Sequence, residues 1–75
     1  MAKLQRISGK KLTSILEGMG FVHVRQKGSH VVLKKITAEG AKGCVVPLHK
    51  ELAVGTIRGV LRQAGVTPEE FSEQL

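Results

Sequence analysis

The stretch Gln26-Lys27-Gly28-Ser29-His30 holds most of the groups in this sequence that could do chemistry together. It lies between two runs that read as β-strands. A glycine lets the chain reverse direction there. A histidine can take or give a proton near neutral pH, and a lysine carries a compact charge suited to phosphate. The expected arrangement is a hairpin tip that presents His30 as a proton carrier to a phosphate backbone. His49 follows Val46-Pro47-Leu48 and precedes Lys50. It is a second proton carrier, a phosphate contact or a helix-entry residue, and the sequence leaves these open. His23 reads as a bystander. No Asp or Glu stands at ligand spacing with these histidines, so no metal site is expected, and no cofactor motif is present.

The elements that must position this tip are few. Seventy-five residues make one domain, taken as residues 1–75, with a core that is marginal in size. Twelve Lys and Arg against six Asp and Glu give a formal charge of +6 and a pI near 10.0. Such a domain attracts polyanions, nucleic acid foremost. Two Phe, with no Trp or Tyr, provide no stacking platform for bases. Contacts to the backbone are the expected mode. No apolar run approaches the roughly 20 residues of a membrane span, and no secretory signal is visible, so a cytoplasmic protein is expected. A single cysteine, Cys44, excludes an internal disulfide and reads as a buried strand residue.

After a short lead over residues 1–7, Ser8 is a good helix N-cap. Leu12, Ile15, Leu16 and Met19 follow at helical spacing, and Gly20 closes the helix. Lys10 and Lys11 fall in its first turn, where cations are disfavoured unless an anion binds. Phe21 to Gln26 alternates as a half-buried strand, with Val22 and Val24 expected inward. His30 to Ile36 is the second strand, Thr37 to Gly43 a loop, and Gly43 to Pro47 a short third strand. Leu48 to Gly55 connects to a second helix, marked by Ile57, Val60, Leu61 and Ala64 and closed by Gly65. Gly59 inside it is costly, which predicts a close contact. Thr67-Pro68-Glu69-Glu70 is a capping box opening a short last helix pinned by Phe71. The fold class is therefore α+β, α-β-β-β-α, with a three-stranded antiparallel sheet. Both helices lie on one face, and a short C-terminal helix follows.

The free face of that sheet is the expected binding face. A loop at residues 27–28 or at 26–29 pairs Arg25 with His30, and paired residues share a face. His23, Arg25, His30 and Lys34 then stand on the open face, with Lys27 at the tip and Val31 and Leu33 inward. Val32 and Ile36 also fall outward. Strict alternation puts Ile36 there, and an outward isoleucine has no explanation unless the strand ends or bulges first. Cations beside an imidazole favour its neutral form. A neutral imidazole can accept the proton of a ribose 2′-hydroxyl, whose oxygen then attacks the adjacent phosphorus while cations stabilise the growing charge. That chemistry needs no metal and spares DNA.

Three ordered motifs then resemble the HicA-type mRNA interferases, toxins of bacterial HicA–HicB pairs. Lys27-Gly28-Ser29-His30 resembles the family's Gly-Ser-His signature, and Val46-Pro47-Leu48-His49 its Val-Pro-x-His segment. Gly55-Thr56-Ile57-Arg58-Gly59-Val60-Leu61-Arg62-Gln63-Ala64-Gly65 resembles its second helix. Ser8-Gly9-Lys10 and Gly20-Phe21 match the ends of the first helix. The likeness covers about residues 6–66. It implies a fold like double-stranded-RNA-binding domains and metal-independent endonuclease action on mRNA. It also implies His30 as the catalytic histidine and a HicB-type antitoxin covering the active face. Lys27, Ser29, Arg25, Lys34, Lys10, Lys11 and His49 are the accompanying candidates for RNA contact. Leu33 stands where the family often has an aromatic, and the 37–43 loop reads as slightly long. A non-catalytic RNA-binding module and a domain that binds only an acidic protein remain the alternatives.

Overall fold

A computed structural model describes residues 4–75; residues 1–3 of the expected lead lie outside the described residues. The elements run α1 (Gly9–Gly18), β1 (Val22–Lys27), β2 (His30–Thr37), β3 (Gly40–Pro47), α2 (Val54–Ala64) and α3 (Pro68–Ser72). The strands form an antiparallel sheet in the order β1-β2-β3. This is the α-β-β-β-α architecture with a short terminal helix expected above.

Local chemistry explains the helix boundaries. Ser8 accepts from the Lys11 N–H at 3.0 Å and caps α1. Gly20, at φ 102°, ends it: the Gly20 N–H donates to Glu17 O and the Phe21 N–H to Leu16 O. Gly65, at φ 69°, closes α2 in the same way, its N–H donating to Arg62 O and that of Val66 to Leu61 O. Thr67 and Glu70 form the reciprocal capping box of α3. The Thr67 backbone N–H, which donates to the Glu70 carboxylate, and then the Thr67 hydroxyl beside it hold that carboxyl below its usual range. α2 begins at Val54, earlier than the expected connection to Gly55 allows, behind Ala53, which offers no side-chain cap.

Apolar stripes from both long helices meet one face of the sheet. Leu12, Ile15 and Leu16 of α1 and Ile57, Val60, Leu61 and Ala64 of α2 cluster with Val31, Leu33, Cys44 and Val46. Phe21, Leu52 and Phe71 complete the buried set. Lys35 ties α1 to the sheet. Its ammonium donates to Met19 O at 2.8 Å, at the helix C-terminus where a cation is favourable, and lies 5.8 Å from the centre of the Phe21 ring. Cys44 is buried as expected, and burial pushes its thiol up to about 11.

Four expectations are corrected. The first hairpin turns through Gly28-Ser29, not through 27–28 or 26–29, so Lys27 pairs with His30 and Arg25 with Val32. Gly28 takes φ 60°, the left-handed conformation that a glycine-first hairpin turn requires. Secondly, β1 has no buried residue: Val22 is 63% and Val24 54% exposed. A bulge between His23 and Arg25 shifts the register, so Val22 pairs with Lys34 on the open face and His23 with Leu33 on the helix side. Edge strand β1 lies beyond the cover of the helices, and Phe21 just before it supplies the buried anchor. Thirdly, no loop spans 37–43. β2 and β3 pair without interruption from Thr37↔Gly40 to His30↔Pro47 around a tight turn at Ala38-Glu39. The Thr37 hydroxyl fixes that turn by donating to Gly40 O and accepting from the Glu39 N–H. Ile36 is accordingly outward, 78% exposed opposite Ala41, with neither a strand end nor a bulge. Lastly, the space at Gly59 is open: nothing stands within 4 Å of a Cβ built there.

Candidate active site

The site is assembled in rows across the open face, because residues paired across strands share a side. The outermost row is Lys27, His30 and Pro47; the next is Arg25, Val32 and Val45; the third is Val22, Lys34 and Gly43. His30 is exposed, and the residues on either side of it in the row leave the imidazole open to solvent. Cross-strand neighbours have Cβ atoms about 5 Å apart, and diagonal ones about 7–8 Å. Lys27 is therefore the cation adjacent to His30, and Arg25 the next. Lys34 lies four residues along β2, about 13 Å away at the rise of a strand. It shares the face but not the immediate surroundings of His30. His23 is not on this face at all by register.

The remaining candidates arrive from the far side of the sequence through backbone hydrogen bonds. The Leu48 N–H donates to Ser29 O at 2.6 Å, and the Gly9 N–H donates to His49 O at 2.9 Å. The linker after β3 is thus stapled on one side to the hairpin tip and on the other to the start of α1. His49, Lys10 and Lys11 are exposed at this same end of the molecule. Ser29 shares it through its carbonyl. The tip, the linker and the first turn of α1 together bring Lys10, Lys11, Lys27, His30, His49 and Lys50 to one rim.

Gly9 makes that approach possible, and nothing in the helical spacing pointed to it. A Cβ on Gly9 would overlap the Pro47 carbonyl oxygen and come within 2.8 Å of the Leu48 Cα. The usable signal was a glycine straight after a serine N-cap, together with a proline-containing segment that has to stay extended. Among the described residues, no group of three or more His, Cys, Asp or Glu side chains converges as a metal site requires. Nor is any helix long and apolar enough to cross a membrane.

Residues 9–66 of the 75 match the family described as HicA toxin of bacterial toxin–antitoxin systems. The chain belongs to the HicA toxin family. The HicA match runs from the first residue of α1 through Val66. It takes in the hairpin tip, the Pro47–His49 linker and all of α2, and leaves α3 outside. The likeness drawn from three motifs over about residues 6–66 is thereby borne out, and with it a toxin role in a toxin–antitoxin pair. No match is found among curated proteins.

Proposed function

We propose that this HicA toxin is a metal-independent RNA endonuclease acting on mRNA in the cytoplasm, with His30 as its general acid–base residue. The observation that carries this is the outermost row of the sheet: an exposed histidine paired with Lys27, one row from Arg25, on a face that the helices leave open. His30 accepts the proton of a ribose 2′-hydroxyl, and the freed oxygen attacks the neighbouring phosphorus. The bond from phosphorus to the 5′ oxygen breaks, leaving a 2′,3′-cyclic phosphate and a 5′-hydroxyl. The departing oxygen takes its proton from a second acid, for which His49 is the candidate. Lys27 and Arg25 stabilise charge on the phosphoryl oxygens, and Ser29 orients the tip.

Lys34, Lys10 and Lys11 hold the RNA backbone to either side, giving affinity without base readout, and His49 contacts the phosphate at the cut. A HicB-type antitoxin silences the enzyme by covering the open face. Exposed Val22, Ile36 and Val45 on that face supply apolar area for such a cover.

The test is cleavage of a defined RNA by the purified protein in EDTA. Strand scission with cyclic phosphate ends, abolished by a 2′-deoxy residue at the cut, is the expected result. RNA binding without scission would move the protein to a binding module that uses the same face.

A further inference from the structure

A cavity on the helix side of the molecule is used by nothing described so far. It has a volume of about 300 Å³ and is lined by Arg58, Leu61, Arg62, Val66, Thr67 and Pro68. We propose that this cavity docks the antitoxin partner at a point remote from the open face, through a segment that offers an apolar side chain flanked by carboxylates.

The location follows from the register. α2 runs antiparallel to β3: Gly65 lies beside the Lys42 side chain, and Gln63 accepts from the Val45 N–H at 3.1 Å. Gln63 thus marks the flank of α2 that overhangs the β3 edge. Arg58 and Arg62 are spaced to share the opposite flank. Lys42 to Pro47 spans five residues of strand, about 17 Å, and Pro47 is the partner of His30. The far end of the cavity is therefore well removed from the tip, and the sheet separates it from the open face.

The lining selects the occupant. Leu61, Val66 and Pro68 make an apolar floor, and two exposed guanidiniums stand over it one turn apart. Neither forms a salt bridge among the described residues. The size is at the small end for ligand pockets, about 300–1,000 Å³, enough for one or two side chains. An RNA backbone offers phosphates but no apolar knob, and without an aromatic wall a base has nothing to stack on. A second copy of this chain would bring a further charge of +6 against the same arginines. A protein segment carrying Leu, Ile or Met with Asp or Glu beside it satisfies both floor and rim, and Arg is well suited to carboxylate. A toxin of a toxin–antitoxin pair has a protein partner by membership of its family. The proposal needs that pairing and does not need the nuclease mechanism.

The test uses two variants of the full chain and the purified antitoxin encoded with it. Arg58→Glu/Arg62→Glu reverses the rim, and Val66→Phe fills the cavity without changing charge. Thermal melts establish that each is folded. The dissociation constant for antitoxin should rise tenfold or more in both, while RNA cleavage by the free protein stays within about twofold of wild type. Unchanged affinity in both variants overturns the proposal. A loss confined to the charge variant also overturns it, because a general surface field would then suffice. Weakened RNA binding with intact antitoxin affinity assigns the cavity to RNA and overturns it equally. If Val66→Phe does not fold, Arg58→Glu/Arg62→Glu measured at low and high salt decides: an affinity loss that persists at high salt supports docking there, while a loss that salt abolishes, or unchanged affinity, overturns it. Failure of the wild type to cleave RNA would remove the nuclease mechanism and leave the affinity comparison intact.

Discussion

Replacing Gly9 by alanine adds a single methyl group, and its consequence can be worked from the coordinates. The new Cβ overlaps the Pro47 carbonyl oxygen and lies 2.8 Å from both the Leu48 Cα and the Pro47 carbonyl carbon. All three are backbone atoms, so no side chain can swing away. The first turn of α1 and the linker must part. Overpacking of this kind costs about 1–3 kcal/mol. Losing the hydrogen bond from the Gly9 N–H to His49 O costs about 1 kcal/mol more. Better helix propensity returns at most about 1 kcal/mol, so the net loss is about 1–3 kcal/mol. Urea unfolding should show it as a lower midpoint at unchanged slope. RNA cleavage, measured where the variant is still folded, should fall as well, because the same linker is bonded to Ser29 beside His30. Gly59→Ala is the matched control: it sits inside α2 with open space around it and should stabilise by about 0.5–1 kcal/mol. A Gly9→Ala protein as stable as wild type would refute the claim that this contact fixes the rim.

Three further outcomes are expected. Thr67→Ala removes the α3 cap and should cost about 1 kcal/mol with cleavage unchanged. Glu70 is held below its usual range first by the Thr67 N–H, which alanine retains, so in both proteins that contribution should be present at neutral pH and be lost as pH falls through the Glu70 titration. Cys44 should resist alkylation in the folded protein. The unfolded thiol ionises from about pH 9 and the folded one near 11, so stability should decline as pH rises between them. Lys27→Ala should reduce both RNA affinity and cleavage rate. Lys34→Ala, about 13 Å along its strand from His30, should weaken affinity alone and flatten the salt dependence by about 0.7–0.9 in log–log slope.

The parts of the fold that rest on local chemistry were readable from sequence. Ser8, Gly20, Gly65 and the Thr67–Glu70 box set helix ends through groups within a few residues of each other. His30 came out on the open face although its pairing partner was misassigned. Moving the turn from 27–28 to 28–29 changes the register by two residues, and two residues preserve the face. Val22 and His23 were misplaced for the opposite reason: a bulge shifts the pairing by a single residue, and no residue type there announces it. Glycines at 40 and 43 usually punctuate strands, so the sequence predicts a loop over 37–43. Here Gly40 forms the turn exit at φ 125° and Gly43 continues the ladder opposite Lys34. The contact of Gly9 with Pro47 joins residues 38 apart in sequence, beyond the reach of periodicity or capping rules.

The most direct test of the central claim compares His30→Ala with wild type on the same RNA, in EDTA, measuring binding and strand scission separately. The prediction is a loss of cleavage of about a hundredfold or more, the range of general acid–base catalysis, with the dissociation constant changed by no more than about threefold. Cleavage that survives the substitution, or affinity that falls in step with it, would contradict the assignment of His30 as the group that moves the proton.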